Sequence, residues 1–168
     1  MWELWDAGLI SDEVAEWAWL LIYSPQMSKD HANAGAFIDY VEKYMNAYGD
    51  IAETSDRTPA RVQVVGQAVE LAFKGYLAAT CGNWPLEHDL MKLRMQCEAQ
   101  GLKLTEDQRD SVVPTLNALY HRPGSENWRY PSRYPNPGLN VWVIPGRSKL
   151  TVLVDSIVDQ TRQALASS

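Results

Sequence analysis

The fold is decided by residues 62–93, which read VQVVGQAVELAFKGYLAATCGNWPLEHDLMKL. In the first half, apolar residues recur at the spacing of one helix face, so this face is expected to be buried. The residues of this face are Val62, Val65, Val69, Ala72, Phe73 and Tyr76. The opposite stripe is polar and consists of Gln63, Gln67, Glu70 and Lys74. We predict that this stripe faces solvent and that Glu70 pairs with Lys74 one turn later.

A break separates this helix from the next one. Gly82 can adopt the left-handed conformation that ends a helix, and Pro85 suits the approach to another helix. The second helix opens at His88-Asp89-Leu90, and apolar residues recur along it at helical spacing. These residues are Leu86, Leu90, Leu93 and Cys97. The sequence therefore predicts two antiparallel helices that pack against each other.

The N-terminal part of the chain is also predicted to be helical. Residues 1–27 form a helical extension that carries four of the seven tryptophans, and the remaining chain, 28–168, forms one bundle. The extension packs either on its own domain or on a partner chain. A helix follows over 28–49. Thr58-Pro59 then supplies a cap and a proline at the first helical position, where the central helix begins.

The C-terminal part adds two more helices. Thr105 and Gln108 fit a capping box, and Pro114 is expected to kink the helix that follows. A brief strand is predicted over 140–144. The last amphipathic helix begins at Ser148, and its apolar face is Leu150, Leu153, Val154, Ile157, Thr161 and Ala164. The fold class that follows is an all-α helical bundle.

Composition limits the classes of protein that fit. A chain of 168 residues with 46% apolar residues can bury one core. Cys81 and Cys97 have no partner His for a metal and are predicted to be small core residues in a reducing compartment. The apolar run 17–23 is too short for a membrane span. We therefore expect a soluble cytoplasmic protein with no membrane partner, no metal and no cofactor.

Charge is distributed unevenly along the chain. The net charge is −6, yet the segment 121–149 carries five cations against the single acid Glu126. That segment has a net charge of +4, and the rest of the chain has −10. An anionic ligand is therefore expected to bind in this basic segment.

The first part of the basic segment, 122–138, is predicted to be a long proline-rich loop before the last helix. It interleaves arginines with aromatic rings, an arrangement that suits single-stranded RNA or a nucleotide because bases stack on rings and guanidinium groups grip phosphates. The candidate ligand-binding residues are Arg122, Trp128, Arg129, Tyr130, Arg133 and Tyr134. The alternative is that the rings pack on the bundle while the arginines pair with acids.

The chain resembles the HEPN domain over about 28–168, because several sequence features occur in the order typical of that family. They are Glu70 and Lys74 on the central helix, the turn 82–85, the His88-Asp89-Leu90 helix start, Arg133-Tyr134-Pro135 and the last amphipathic helix. The resemblance implies a prokaryotic cytoplasmic bundle, often a homodimer, from a superfamily associated with nucleotide or RNA binding. Many of its members cleave RNA.

The chain departs from the family's nucleases at the catalytic motif. Active HEPN nucleases resemble one another in an Arg followed, after four to six residues, by a His near the last helix. No His follows His121 in this chain, so the catalytic pair is absent. His121 is the remaining candidate for acid–base work, although an exposed position at a helix end is expected for it. Structural roles are predicted for Glu70, Lys74, His88 and Asp89.

The sequence thus predicts a non-catalytic HEPN-like domain that binds RNA, a nucleotide or an acidic partner through the basic aromatic loop. One alternative is a HEPN ribonuclease with an altered active site that uses His121 and an arginine of the loop. Another alternative is a protein–protein interaction module. An enzyme is the less favoured outcome, and if the chain is one, it is a ribonuclease.

Overall fold

A computed structural model of the chain describes residues 31–53, 58–121 and 143–167. These ranges contain five helices: α1 His31–Asp50, α2 Thr58–Cys81, α3 Leu90–Ala99, α4 Val113–Tyr120 and α5 Arg147–Ala166. No strand occurs within them, so the predicted all-α class is confirmed. None of the helices in this part of the chain is long and apolar enough to cross a membrane.

Helix α2 is the centre of the bundle and packs against α1, α3, α4 and α5. All six residues of its predicted apolar face are buried. The prediction for the opposite stripe is wrong at Glu70 and Lys74, because these side chains are 2% and 6% exposed. Because the other four helices pack around α2, Glu70 and Lys74 on its polar stripe are also buried. They must therefore find partners inside the protein.

The break after α2 forms as predicted. Gly82 adopts a φ of 73° directly after the last residue of α2, and its backbone N–H donates to the Ala78 carbonyl at 3.0 Å. The next helix starts at Leu90, two residues later than expected, because Asp89 is its N-cap. Its carboxylate accepts hydrogen bonds from the backbone N–H groups of Met91 and Lys92. His88 therefore precedes α3 rather than belonging to its first turn.

The predicted antiparallel arrangement of α2 and α3 is wrong. The segment between them carries the chain back by about 16 Å along α2, so that His88 lies beside Glu70. From there α3 advances in the same sense as α2. The Cys97 thiol donates to the Phe73 carbonyl at 3.4 Å, and the Tyr76 hydroxyl donates to the Gln100 carbonyl at 3.2 Å.

The capping box before α4 is confirmed. The backbone N–H of Gln108 donates to the Thr105 hydroxyl at 3.2 Å, and the Thr105 N–H donates to the Gln108 side-chain carbonyl at 2.9 Å. A π-helical turn, Gln108–Val112, then precedes α4, in which the Val113 N–H reaches back five residues to the Gln108 carbonyl. This change of register lies just before Pro114, where the sequence predicts an irregular helix.

Helix α5 buries the face predicted for it, with Ala164 half-buried at its end. Val143 and Ile144, the described part of the predicted strand, lie outside any strand. The predicted extension over 1–27 and the predicted loop over 122–138 lie outside the described residues.

Cys81 and Cys97 are both free thiols, and Cys97 is fully buried as predicted. Burial, with smaller contributions from Cys81 and Glu98, raises the pKa of the Cys97 thiol.

Candidate functional site

A buried carboxylate organises the polar interior of the bundle. Glu70 Oε1 accepts a hydrogen bond from Lys74 Nζ at 2.9 Å and lies 3.0 Å from His88 Nδ1. Glu70 Oε2 accepts a hydrogen bond from the Tyr120 hydroxyl at 2.7 Å. We call these four residues the Glu70 cluster. It joins α2, the segment before α3, and α4 at one point.

Electrostatics keep the carboxylate of this cluster ionised. Burial by itself would raise the pKa of Glu70, but the hydrogen bond from His88 and the charge and hydrogen bond of Lys74 outweigh burial. The resulting pKa is about 2. Glu70 is therefore an anion at neutral pH, and it compensates the ammonium group of Lys74 inside the protein.

A glycine lets Tyr120 reach the cluster. Gly66 lies one turn before Glu70 on α2, and a Cβ atom at this position would lie 2.2 Å from Cδ2 of the Tyr120 ring. The ring is fully buried against this backbone, and its hydroxyl also lies 3.1 Å from the Gln67 side-chain carbonyl. A close approach of a ring to a helix backbone requires a residue without a Cβ.

A second polar pair holds the start of α3 against α4. Asn117 Nδ2 donates to the Asp89 carboxylate at 3.0 Å, and the Leu90 N–H donates to Asn117 Oδ1 at 2.9 Å. Glu87 accepts the backbone N–H groups of both His88 and Asp89 at 3.0 Å. These contacts fix the backbone that carries His88. The side chain of His88 is 45% exposed, so the imidazole lies between the buried carboxylate and the surface.

The residues that the sequence predicts to have structural roles lie close together here. The predicted binding residues are not among the described residues. Glu70, Lys74 and His88 share one cluster, and Asp89 caps the neighbouring helix. The six candidates Arg122, Trp128, Arg129, Tyr130, Arg133 and Tyr134 lie outside the described residues.

His121 does not have the exposed position expected from the sequence. It follows α4 directly and is only 6% exposed, because the adjacent Tyr120 anchors this end of the helix in the core.

Two other cations of the basic segment are described, and both have partners in the bundle. Arg147 donates to the carbonyls of Gly49 and Ile51 at 2.7 and 2.6 Å, and its Nε lies 2.9 Å from Glu53 Oε1. Lys149 Nζ lies 3.0 Å from Asp107 Oδ2. Arg147 and Lys149 are thus held by acids of the bundle, and Arg147 also by backbone carbonyls.

A shallow groove of about 340 Å³ lies between α1, α2 and Trp84. Its aromatic wall includes Tyr40 and Tyr44, and the Trp84 ring meets Phe37 edge-on at 5.0 Å between centroids. Gln67, which also contacts Tyr120, lines the groove. The groove is thus next to the Glu70 cluster but is lined mainly by rings and aliphatic carbon.

Within the described ranges, no group of three or more His, Cys, Asp or Glu side chains is placed to hold a metal ion. Comparison with family models, with curated proteins and with solved structures found no match to this chain. The class that the fold and the site define is therefore an all-α bundle with a buried ionic cluster. From the end of its helix α4, a cationic, aromatic-rich segment departs.

Proposed function

We propose that this chain is a HEPN-like domain that binds single-stranded RNA through residues 122–142 without cleaving it. The residues that would contact RNA are Arg122, Trp128, Arg129, Tyr130, Arg133 and Tyr134. RNA is favoured over an acidic protein because this segment combines three arginines with four aromatic rings. An acidic protein surface would use the arginines but offers no bases for the rings to stack on.

The observation that carries the proposal is how the bundle holds the two ends of this segment. At one end, Tyr120 is buried against Gly66 and Glu70 of α2. At the other end, Arg147 lies over the ring of Tyr48, which also accepts a hydrogen bond from Arg61 of α2. Positions 61 and 66 are about 7.5 Å apart along a helix axis, so the Tyr48 ring that supports Arg147 and the Tyr120 ring contact neighbouring turns of α2. A long segment whose flanking residues are anchored in the bundle is typical of a binding loop.

The charges of the bundle also support this assignment. The described part of the chain compensates its cations internally, through pairs such as Lys74 with Glu70, Arg162 with Glu42 and Lys149 with Asp107. The segment 122–142 holds three arginines and only one acid, so its charge is not compensated within its own sequence. Anionic RNA would neutralise the positive charge of this segment.

Binding can be tested by fluorescence anisotropy with a labelled 20-nucleotide single-stranded RNA at several salt concentrations. We expect salt-sensitive binding, and we expect the double variant Arg129→Gln, Arg133→Gln to bind more weakly. Each phosphate contact contributes about 0.7 to the slope of log affinity against log salt, so the double variant should lower the slope by about 1.4.

The double variant Arg109→Gln, Arg162→Gln is the matched control, since it removes the same charge from two residues that pair with Asp110, Glu42 and Asp159. Equal weakening by both double variants would argue for binding by overall charge alone. No binding by the natural protein at low salt would contradict the proposal and favour a protein-interaction module.

We also expect the bound RNA to remain intact. The chain lacks the Arg and His pair of HEPN nucleases, and His121 is buried. A missing general acid or base costs about 10²–10⁴-fold in rate. A gel assay after prolonged incubation at saturating protein checks this expectation. Cleavage that disappears in a folded His121→Ala variant would instead establish the altered ribonuclease.

A further inference from the structure

Two arginines converge where α1 ends and where α2 and α5 begin. The guanidinium carbons of Arg61 and Arg147 lie 5.6 and 5.2 Å from the centre of the Tyr48 ring. Arg61 Nη2 donates to the Tyr48 hydroxyl at 3.2 Å. Tyr48 is itself fully buried, so it gives both guanidinium groups a fixed support.

The hydrogen-bonding capacity of this pair is only partly used. Arg61 is 6% exposed, and its Nε has no hydrogen-bond partner among the described residues. The Nε of Arg147 is also buried, and although it lies 2.9 Å from Glu53 it does not have the direction of a hydrogen bond. A buried donor without a hydrogen-bond acceptor destabilises the protein. We therefore expect the region around Arg61 and Arg147 to accept an anion.

Among the described residues, the carboxylate of Glu53 stands between the two guanidinium groups. Glu53 Oε1 lies 2.9 Å from Arg147 Nε, and Oε2 lies 3.7 Å from Arg61 Nη2. The side chain is 54% exposed, so it can leave this position without opening the core. The other nitrogens of Arg147 are taken by the carbonyls that end α1. One exposed anion thus faces two cations, one of which is almost fully buried.

The N-terminal ends of two long helices add to the positive potential here. Helix α2 begins three residues before Arg61, and α5 begins at Arg147 itself. The N-cap of α5 is Gly146, which has no side chain with which to cap the first turn. The partial positive charge of both helix ends therefore reinforces the two guanidinium groups.

We propose that Arg61 and Arg147 form a subsite for a phosphate group and that the Glu53 carboxylate occupies it until a phosphate displaces it. A phosphate offers the same two-point geometry to guanidinium groups as a carboxylate, with more charge and more acceptor oxygens. It can therefore contact both Arg147 Nε and Arg61 Nη2, whereas Glu53 lies 3.7 Å from Arg61 Nη2.

This subsite extends the proposed RNA-binding segment. Arg147 comes five residues after the end of 122–142 in the sequence and is fixed to the bundle, so we assign the subsite to one phosphate of the same RNA strand. The inference depends on the proposed function only for the source of the phosphate, and the binding of inorganic phosphate tests it independently.

The experiment compares Glu53→Gln with Glu42→Gln. Both substitutions remove one charge from a half-exposed glutamate that contacts an arginine of α5, namely Arg147 for Glu53 and Arg162 for Glu42. Binding of inorganic phosphate is measured by calorimetry, and binding of the labelled RNA by anisotropy. We expect Glu53→Gln to bind both ligands about three- to tenfold more tightly than the natural protein, because an internal competitor lowers the apparent affinity. Glu42→Gln should leave phosphate binding unchanged.

Adding Arg147→Gln to the Glu53→Gln variant should abolish the gain, whereas adding Arg162→Gln should not, with folding verified by circular dichroism in each case. Equal phosphate affinity in Glu53→Gln and Glu42→Gln would overturn the subsite. A gain for phosphate without any RNA binding would support the subsite and contradict the proposed function instead. RNA binding by the natural protein, with no gain in phosphate affinity in Glu53→Gln, would support the proposed function and contradict the subsite.

Discussion

Replacing Glu70 with alanine is expected to lower the free energy of unfolding by about 3–5 kcal/mol, because the substitution leaves a buried charge without its partner. Lys74 would keep its ammonium group at 6% exposure with no carboxylate beside it. The Tyr120 hydroxyl would lose its 2.7 Å hydrogen bond to the carboxylate, and His88 Nδ1 would lose its contact with Glu70 Oε1. Urea unfolding followed by circular dichroism measures the change.

The matched control for this prediction is Glu42→Ala. Glu42 also contacts a basic side chain, Arg162, but its own side chain is 55% exposed. Surface ion pairs contribute about 0–1 kcal/mol, so this variant should stay close to the natural protein. If Glu70→Ala cost no more than Glu42→Ala, the buried cluster would not be holding the bundle together.

The same carboxylate predicts how stability changes with pH. The pKa of Glu70 is lowered from 4.5 to about 2 in the folded protein, so its ionised form stabilises the fold above pH 4.5. This contribution is lost as the pH falls from about 4.5 towards 2, and it corresponds to about 3 kcal/mol. In Glu70→Gln this part of the acid dependence should be absent. An unchanged acid profile in that variant would contradict the assignment.

Gly66→Ala is expected to destabilise the protein by about 1–3 kcal/mol, although alanine is intrinsically the better helix former. The added methyl would overlap the Tyr120 ring at 2.2 Å. The ring cannot retreat, because it is fully buried and its hydroxyl is bonded to Glu70. The higher helix propensity of alanine relative to glycine offsets only about 1 kcal/mol of this destabilisation.

Gly35→Ala provides the comparison, since a Cβ at this position on α1 meets nothing within 4 Å. This variant should gain about 0.5–1 kcal/mol from the lower conformational entropy of its unfolded chain. In a Tyr120→Ala background, the penalty of Gly66→Ala should disappear, because the two residues share one contact. A penalty that persists there would show that Gly66 is needed for another reason.

The helices were predictable because their signals are local. The apolar spacing from Val62 to Tyr76, the positive-φ stop at Gly82 and the Thr105 and Gln108 capping box all depend on residues near one another in sequence. The relative direction of α2 and α3 is not local. The segment over 82–89 is long enough for α3 to start far back along α2, and nothing in its sequence distinguishes this path from an immediate return.

The candidate site was predictable only in part, for the same reason. Glu70 and Lys74 have the spacing of a surface ion pair, and Glu70 finds its partner Tyr120 on α4, some 50 residues later in the sequence. The burial of Asn117 and Tyr120 could have been predicted, because these residues recur with Val113 at the spacing of one buried helix face. Gly66 carried no such signal, because a glycine within a helix does not reveal which ring will pack on it.

RNA binding through 122–142 is tested most directly by ultraviolet cross-linking of a single-stranded RNA to the natural protein, followed by mass spectrometry of the modified peptides. We predict that the cross-linked residues are Trp128, Tyr130 and Tyr134, and that the Arg129→Gln, Arg133→Gln variant gives few adducts. The groove offers competing rings at Tyr40, Tyr44 and Trp84. Cross-links confined to these groove residues, or none at low salt, would contradict the proposed binding segment.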